Sequence, residues 1–411
     1  MSSFTVAIIG AGPVGCTLAR LLHQANIDVT VFEGEATFNA RDQGGTLDLH
    51  TTTGLLAMKD AGIWENFQKH ARYEGQALII ADRHGKDFLK RSPSGAADAL
   101  EERPEIDRVK LREILIESLP EGMIKWGHRL AKVDEDKTLH FTDSTTASGF
   151  DLVVGVEGAW SKVRNLLNPD LKPVFAEVGH FSFKTSNMKE AVPEAYKFVN
   201  HGSVFAFADG LRVSMQELGD GSLSMSVAFA LDSDNWIDPA WTLEDVKEKA
   251  LEKLDDWAPV FKEGIKTAES FMARSLYQLP VGATWEHKKG VTLAGDAAHL
   301  MTPFAGEGVN IGMKDALVLA KEIIAAVKEG GDADVLDKHL KAYEKEMFAR
   351  AKVIQKLTDD LRKDYLFSKG VPGSIMARAM SRHVKLHTPW VLHPVATAVV
   401  YGYFFFRNFG S

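Results

Sequence analysis

Gly10-Ala11-Gly12-Pro13-Val14-Gly15 has the spacing G-x-G-x-x-G. Glycine at the first position permits a tight turn. At the second it lets the backbone approach a pyrophosphate, and at the third it lets a helix pack closely on a strand. A helix beginning at Pro13 and Val14 would turn free N–H groups and positive dipole toward phosphate. Glu33 lies 23 residues after Gly10, where an acid can accept hydrogen bonds from ribose hydroxyls. A second group, Gly295-Asp296-Ala297-Ala298-His299, offers small residues and an acid that can accept from a further hydroxylated chain. Pro303-Phe304-Ala305-Gly306-Glu307-Gly308-Val309-Asn310 then leads into another helix. Its N-terminus would favour the edge of a ring that gains negative charge on reduction. His299 reads either as an acid–base group or as a hydrogen-bonding brace of the turn. Cys16 reads either as an activated thiol or as buried filler. Together the two motifs suit the two walls of a flavin site.

These residues need a scaffold. Thr5–Ile9 and Asp28–Phe32 read as strands around a helix at 13–25, a βαβ unit. Leu152–Gly155 and residues 291–294 read as further buried strands. Between them, 181–185, 197–199, 204–207, Leu211–Glu217 and 222–230 read as strands with turns at Ala208-Asp209-Gly210 and Gly219-Asp220-Gly221. That is an antiparallel sheet inserted into the nucleotide fold, with an amphipathic helix at 243–257. Helices follow at 309–327 and Ala333–Phe367, broken at Gly330-Gly331, and Pro372-Gly373 precedes a final helical region. The expected class is α/β: a Rossmann-type cofactor domain (1–174 and 286–330), an inserted antiparallel-sheet substrate domain (175–285), and a C-terminal helical region (331–411) whose long helix bridges the two.

The chain has 411 residues, 45% hydrophobic and 25% charged, which suits a globular two-domain protein. A net charge of −8 argues against nucleic acid as a partner. The single cysteine excludes an intrachain disulfide and fits a reducing, cytoplasmic setting. The apolar run at 4–9 is too short for a signal peptide and ends in a glycine loop. Residues 390–406 are apolar and aromatic. They read first as a tail packed on the body, with an interfacial anchor as the alternative. No metal site is expected: His383 and His387 lie four apart but lack the intervening Glu of a zinc protease.

The chain resembles the group A flavoprotein monooxygenases of the para-hydroxybenzoate hydroxylase fold, and within them the tetracycline-inactivating enzymes. The resemblance rests on Gly44-Gly45-Thr46-Leu47-Asp48-Leu49-His50, Pro104-Glu105-Ile106-Asp107-Arg108 with Leu111-Arg112, Ser161-Lys162-Val163-Arg164, and Gly295 through Asn310. It implies FAD as cofactor, NADPH as transient reductant and O2 as oxygen donor. Asp48 would sit near the reactive edge of the flavin, and Arg112 would hold the cofactor with Arg108 nearby. Pro303, Phe304 and Gly306 would line the cavity floor, while Asp296, Gly308, Val309 and Asn310 complete the cofactor set. The family's Asp-Gly motif is Glu157-Gly158 here. Phe198, Val204 and Met225 replace polar drug-binding residues of the tetracycline enzymes, so they read either as a more apolar substrate pocket or as ordinary core. The implied function is hydroxylation of an aromatic or polyketide-like molecule by a monomeric enzyme. A flavoprotein oxidase or dehydrogenase, or a non-enzymatic binding protein on this scaffold, are the alternatives.

Overall fold

The structure is a computed structural model that describes residues 4–38, 44–91, 103–386 and 388–409. It divides into two compact units. The first takes in Met1–Tyr73, Ala96–Val174 and Tyr277–Lys356. Its main sheet has five strands in the order Val291–Leu293, Leu152–Gly155, Thr5–Ile9, Asp28–Phe32, Ile124–Lys125, all parallel. Both faces of such a sheet are covered, which explains the unbroken apolar run Val6–Ile9 and its full burial. The helix Pro13–Gln24 joins the first two strands. It starts at proline, whose missing N–H costs nothing there, and buries Cys16, Leu18, Ala19, Leu21 and Leu22 on one side. It ends where Asn26 takes a left-handed conformation.

Parallel strands send their carboxyl ends to one edge of the sheet. Gly10, Glu33, Val156-Glu157-Gly158 and Gly295-Asp296 all leave from that edge, where open α/β sheets place their ligands. A two-stranded ladder, Thr46–Asp48 with Glu105–Asp107, carries the Gly44–His50 segment to the N-terminus of the Arg108–Glu117 helix.

The second unit takes in Glu74–Gly95, Phe175–Leu276 and Leu357–Ser411. Its seven-stranded sheet runs Ser270–Gln278, Val174–Thr185, Leu223–Ala230, Leu211–Glu217, Ser203–Ala208, Leu78–Asp82, Asp87–Arg91. The strands at 78–91 fall outside the expected inserted segment. Leu78–Asp82 pairs in parallel with Ser203–Ala208, more than a hundred residues on, so no local turn signal announces it. Residues 197–199, expected as strand, close the helix Pro193–Val199 instead. Pro193 starts it, Glu-Ala-Tyr-Lys extends it and Asn200 ends it in the left-handed region. The helix expected at 243–257 stops at Lys253, with a Thr242–Asp245 capping box at its start and a separate helix, Val260–Lys266, after it.

Alternation along the strands gives this sheet two unlike faces. One carries Phe181, Phe183, Val204, Val213, Met215, Met225, Val227 and Phe229, packed under the three helices. The other carries His180, Arg212, Ser214 and Ser226. Val204 is 0% and Met225 1% exposed. Met225→Ala is expected to cost about 2–5 kcal/mol, as for a cavity cut in a filled core, measured by urea unfolding against wild type.

Candidate active site

Glycine is required where the first helix meets the first strand. A Cβ on Gly15 would stand 2.1 Å from the Gly10 carbonyl oxygen, and Gly10 itself has φ +112. Gly12 differs: a Cβ there would meet nothing within 4 Å. Its backbone therefore borders open space, and no side chain caps the helix that begins at Pro13. Free amides and room together form an anion cradle. Glu33 lies beside it. Its Oε2 accepts from the Ala11 amide at 2.8 Å and its Oε1 from the Glu35 amide at 2.9 Å. Arg112, 2% exposed, donates Nε to the Ala11 carbonyl at 3.0 Å and pairs through Nη1 with Glu35 at 2.7 Å. It thus braces the glycine loop from behind. Arg108 lies near Gly45, whose carbonyl accepts from the Arg108 amide at 3.1 Å.

The second wall begins with Pro303 and Gly306, both exposed, while Phe304 is buried. Gly306 has φ +72, and a Cβ on it would lie 3.9 Å from Asp48 Oδ1. Asp48 is held by His50, Nε2 to Oδ2 at 2.9 Å, and His50 Nδ1 faces Glu307 Oε2 at 3.4 Å. Burial alone would lower the pKa of His50. Hydrogen bonds and charge from Asp48 and Glu307 outweigh it and push the imidazole up to about 9. Loss of water would raise the Asp48 carboxyl, but His50 and then Arg103 hold it below its ordinary value. Asn310, 0% exposed, donates to the Asp48 carbonyl at 2.8 Å and accepts from the His50 amide at 2.8 Å. Its side-chain amide is occupied by protein and fastens the 48–50 segment to the Gly308–Lys328 helix. That helix has no side-chain cap, and Gly308 borders open space. Val309 sits in its first turn, half-buried.

His299 is 2% exposed and lies 2.6 Å from Asp315 Oδ2, which also accepts from the Gly295 amide at 2.8 Å. Asp315 is fully buried and pairs in turn with Arg350 at 2.8 Å. Burial would depress the His299 imidazole, and Asp315 more than reverses that. Of the two readings of His299, the geometry supports the brace of the turn. Asp296 is exposed and feels the charges of His299, Arg108 and Asp315. Val14 fills the notch between Gly295 and Gly312, where added Cβ atoms would lie 3.1 and 2.7 Å from its Cγ2. Glu157 turns inward: Oε1 accepts from Ser161 Oγ and the Lys162 and Val163 amides at 2.8 to 2.9 Å, capping the Lys162–Leu167 helix. Its Oε2 is buried without a hydrogen bond, and burial raises its pKa.

In the second unit Val204 and Met225 lie in the packed core, and Phe198 sits edge-on to Phe261 at its margin. The helices cover that face, so their apolar character reflects packing and not a substrate pocket. The polar face is the chemically informative one. His180, Ala228 and Arg212 stand side by side in register, as do Ser182, Ser226 and Ser214. The Ser214 and Ser226 hydroxyls meet at 2.6 Å. His180 Nδ1 is buried without a hydrogen bond; burial first, then Arg274 and Arg212, hold its pKa well below the ordinary value. His387, half of the spaced pair, lies outside the described residues.

Sequence reading missed His50, Glu307 and Asp315 as functional. The signal for Asp315 was a lone acid on the apolar side of a helix. His50 and Glu307 stand 257 residues apart, and only the fold joins them.

The cradle at Gly12, the acid at Glu33 and the open, uncapped helix at Gly308 fit a dinucleotide that carries a redox ring. The family model described as FAD binding domain matches residues 3–359. Monooxygenase penA of Penicillium thymicola is 30% identical over 87% of this chain and 94% of its own. 3-Amino-4-hydroxybenzoate 2-monooxygenase PtmB3 of Streptomyces platensis is 26% identical over 91% of this chain and 92% of its own. Tetracycline destructase Tet(51) superposes with a TM-score of 0.68 at 19% identity, covering 97% of this chain and 98% of the other, and so shares the fold. The chain belongs to the FAD binding domain family and is an FAD-dependent monooxygenase.

Proposed function

We propose that the enzyme uses NADPH and O2 to hydroxylate an aromatic or polyketide-like small molecule bearing oxygen acceptors. The observation that carries the reading is the cofactor cradle of the first unit, where Gly12 borders open space beside Glu33. Bound FAD would supply the redox chemistry, namely hydride acceptance and O2 activation.

The chain positions and shields. Free amides at the start of Pro13–Gln24 hold the pyrophosphate, and Glu33 accepts from the ribose. Asp296, exposed beside the Gly295 turn, accepts from the ribityl chain. His299 and Asp315 hold that turn without touching the ligand. The Gly308–Lys328 helix N-terminus would favour negative charge on the ring, while His50 offsets the charge of the neighbouring Asp48 carboxylate. Pro303, Phe304 and Gly306 exclude water from the ring's edge. On the polar sheet face, neutral His180 and the Ser214–Ser226 pair orient substrate oxygens. A site built of such groups rejects analogues that leave them unpaired. Arg212 favours a phenolate, enolate or carboxylate.

Gly12→Val is expected to fold normally, because the added side chain meets open space, yet to weaken FAD binding by about 100-fold through loss of charge-assisted phosphate contacts. Flavin retention after gel filtration, with circular dichroism as the folding control, checks this.

The pH dependence follows from His50. Its folded pKa exceeds the unfolded value, so its contribution to stability is complete below about 6.5 and disappears as pH rises through about 9. Thermal melts of the apoprotein across this window should fall with pH, and His50→Gln should remove most of that slope.

Substrate-stimulated NADPH oxidation, with mass spectrometry for one added oxygen, tests the reaction itself. A panel of phenols, hydroxyquinolones and tetracyclines is expected to give oxygenated product from at least one ring system. Peroxide alone across a broad panel would instead indicate an oxidase.

A further inference from the structure

Sixteen large apolar side chains stand exposed among the described residues, and nine of them fall between 390 and 406. Trp390 is 79% exposed, Phe406 73% and Val399 66%. Most belong to the helix His393–Phe409. Its inner side is satisfied: Val400 and Phe404 are buried, and Thr397 Oγ1 meets Ser381 Oγ of the helix Met376–Leu386 at 3.4 Å. Its outer side, with Val395, Val399 and Phe406, is equally apolar. No Asp, Glu, Lys or Arg occurs from 386 to 406. A helix apolar on both sides needs a second apolar medium, and so concentrated a patch marks an interaction surface. No helix among the described residues is long and apolar enough to cross a membrane.

Charge identifies the medium. After Asp364 the chain carries five Lys and Arg and no acid, although its net charge is −8. Arg378 and Arg382 are engaged by Asp360 and Asp364. Lys369 and Lys385 make no ion pair among the described residues, and both precede the apolar stretch. Trp390, Tyr401 and Tyr403 are the amphipathic aromatics that favour the headgroup level of a bilayer. A shallow apolar groove of about 440 Å³ is lined by Gly373, Ala377, Tyr401, Gly402 and Phe405. Pairing with a second copy would bring two such basic segments together, which like-charge repulsion opposes.

We propose that residues 390–406 dock the enzyme on an anionic bilayer surface, with the His393–Phe409 helix lying in the interface plane. Apolar insertion and the basic flank supply the two signals that stable peripheral attachment requires.

The test is flotation of the full-length, FAD-loaded enzyme with phosphatidylcholine vesicles, with and without phosphatidylglycerol at about one part in three. Wild type is expected to float with the anionic vesicles and to be released by high salt. The triple variant Val395→Ser, Val399→Ser, Phe406→Ser changes only exposed positions. It should stay at the bottom while keeping wild-type flavin content and NADPH oxidation. Lys369→Gln and Lys385→Gln should each weaken partition about fivefold, equivalent to ~1 kcal/mol per basic residue. Absence of flotation with either vesicle overturns the proposal. Equal flotation with neutral vesicles overturns the anionic assignment. Wild-type dimers in sedimentation velocity that the triple variant abolishes, without flotation, would assign the face to a second copy.

Discussion

The close approach of the first helix to two glycine turns governs the first unit. Gly15 must lie against the Gly10 carbonyl, and Val14 must fit between Gly295 and Gly312. Those three contacts fix one helix against a strand, a turn and a second helix at once. Two motifs nearly three hundred residues apart are thereby set on either side of a single valine. Larger residues at any of the glycines would lift the helix and move its amides, because packed interiors transmit displacement instead of absorbing it.

Around that contact the protein uses buried polar groups as fasteners. Asp315 joins the Gly295 amide, His299 and Arg350, and Asn310 joins the 48–50 segment to the Gly308–Lys328 helix. Glu344 accepts from Trp285, Thr292 and His287 in the same unit. Each is a buried group whose partners come from distant parts of the chain. Removing one partner strands the others, so such networks fix geometry more than they add stability. Gly12, Asp296, Pro303 and Gly306 stay outside these fastenings, exposed or bordering open space.

Much of this was legible in the sequence, because the glycine motif, the apolar strands and the acid at Glu33 are local patterns with local causes. The parallel order of the sheet and its carboxyl-end loops follow from them. What sequence could not supply was pairing at a distance. The strand at 78–82 finds its partner at 203–208, and His50 finds Glu307, through closures that no short pattern encodes. The sheet of the second unit adds another lesson. Val204 and Met225 read either as replacements for ligand contacts or as ordinary core, and strand alternation assigns them to the covered face and gives the neighbouring Arg212 and Ser214 to the polar one. A shift of one residue in an aligned strand moves a side chain from one face of the sheet to the other. Glu157 stands where the family's Asp-Gly motif has its acid, and the structure spends its carboxylate on a helix cap.

Cys16 is fully buried in the first helix, and burial pushes its thiol up to about 12. Thiolate, the form that attacks peroxide, is therefore scarce at neutral pH. An enzyme that handles O2 beside a reduced flavin releases some peroxide whenever turnover fails to reach substrate. With its sole thiol protonated and enclosed, this chain is chemically hardened against the by-product of its own reaction.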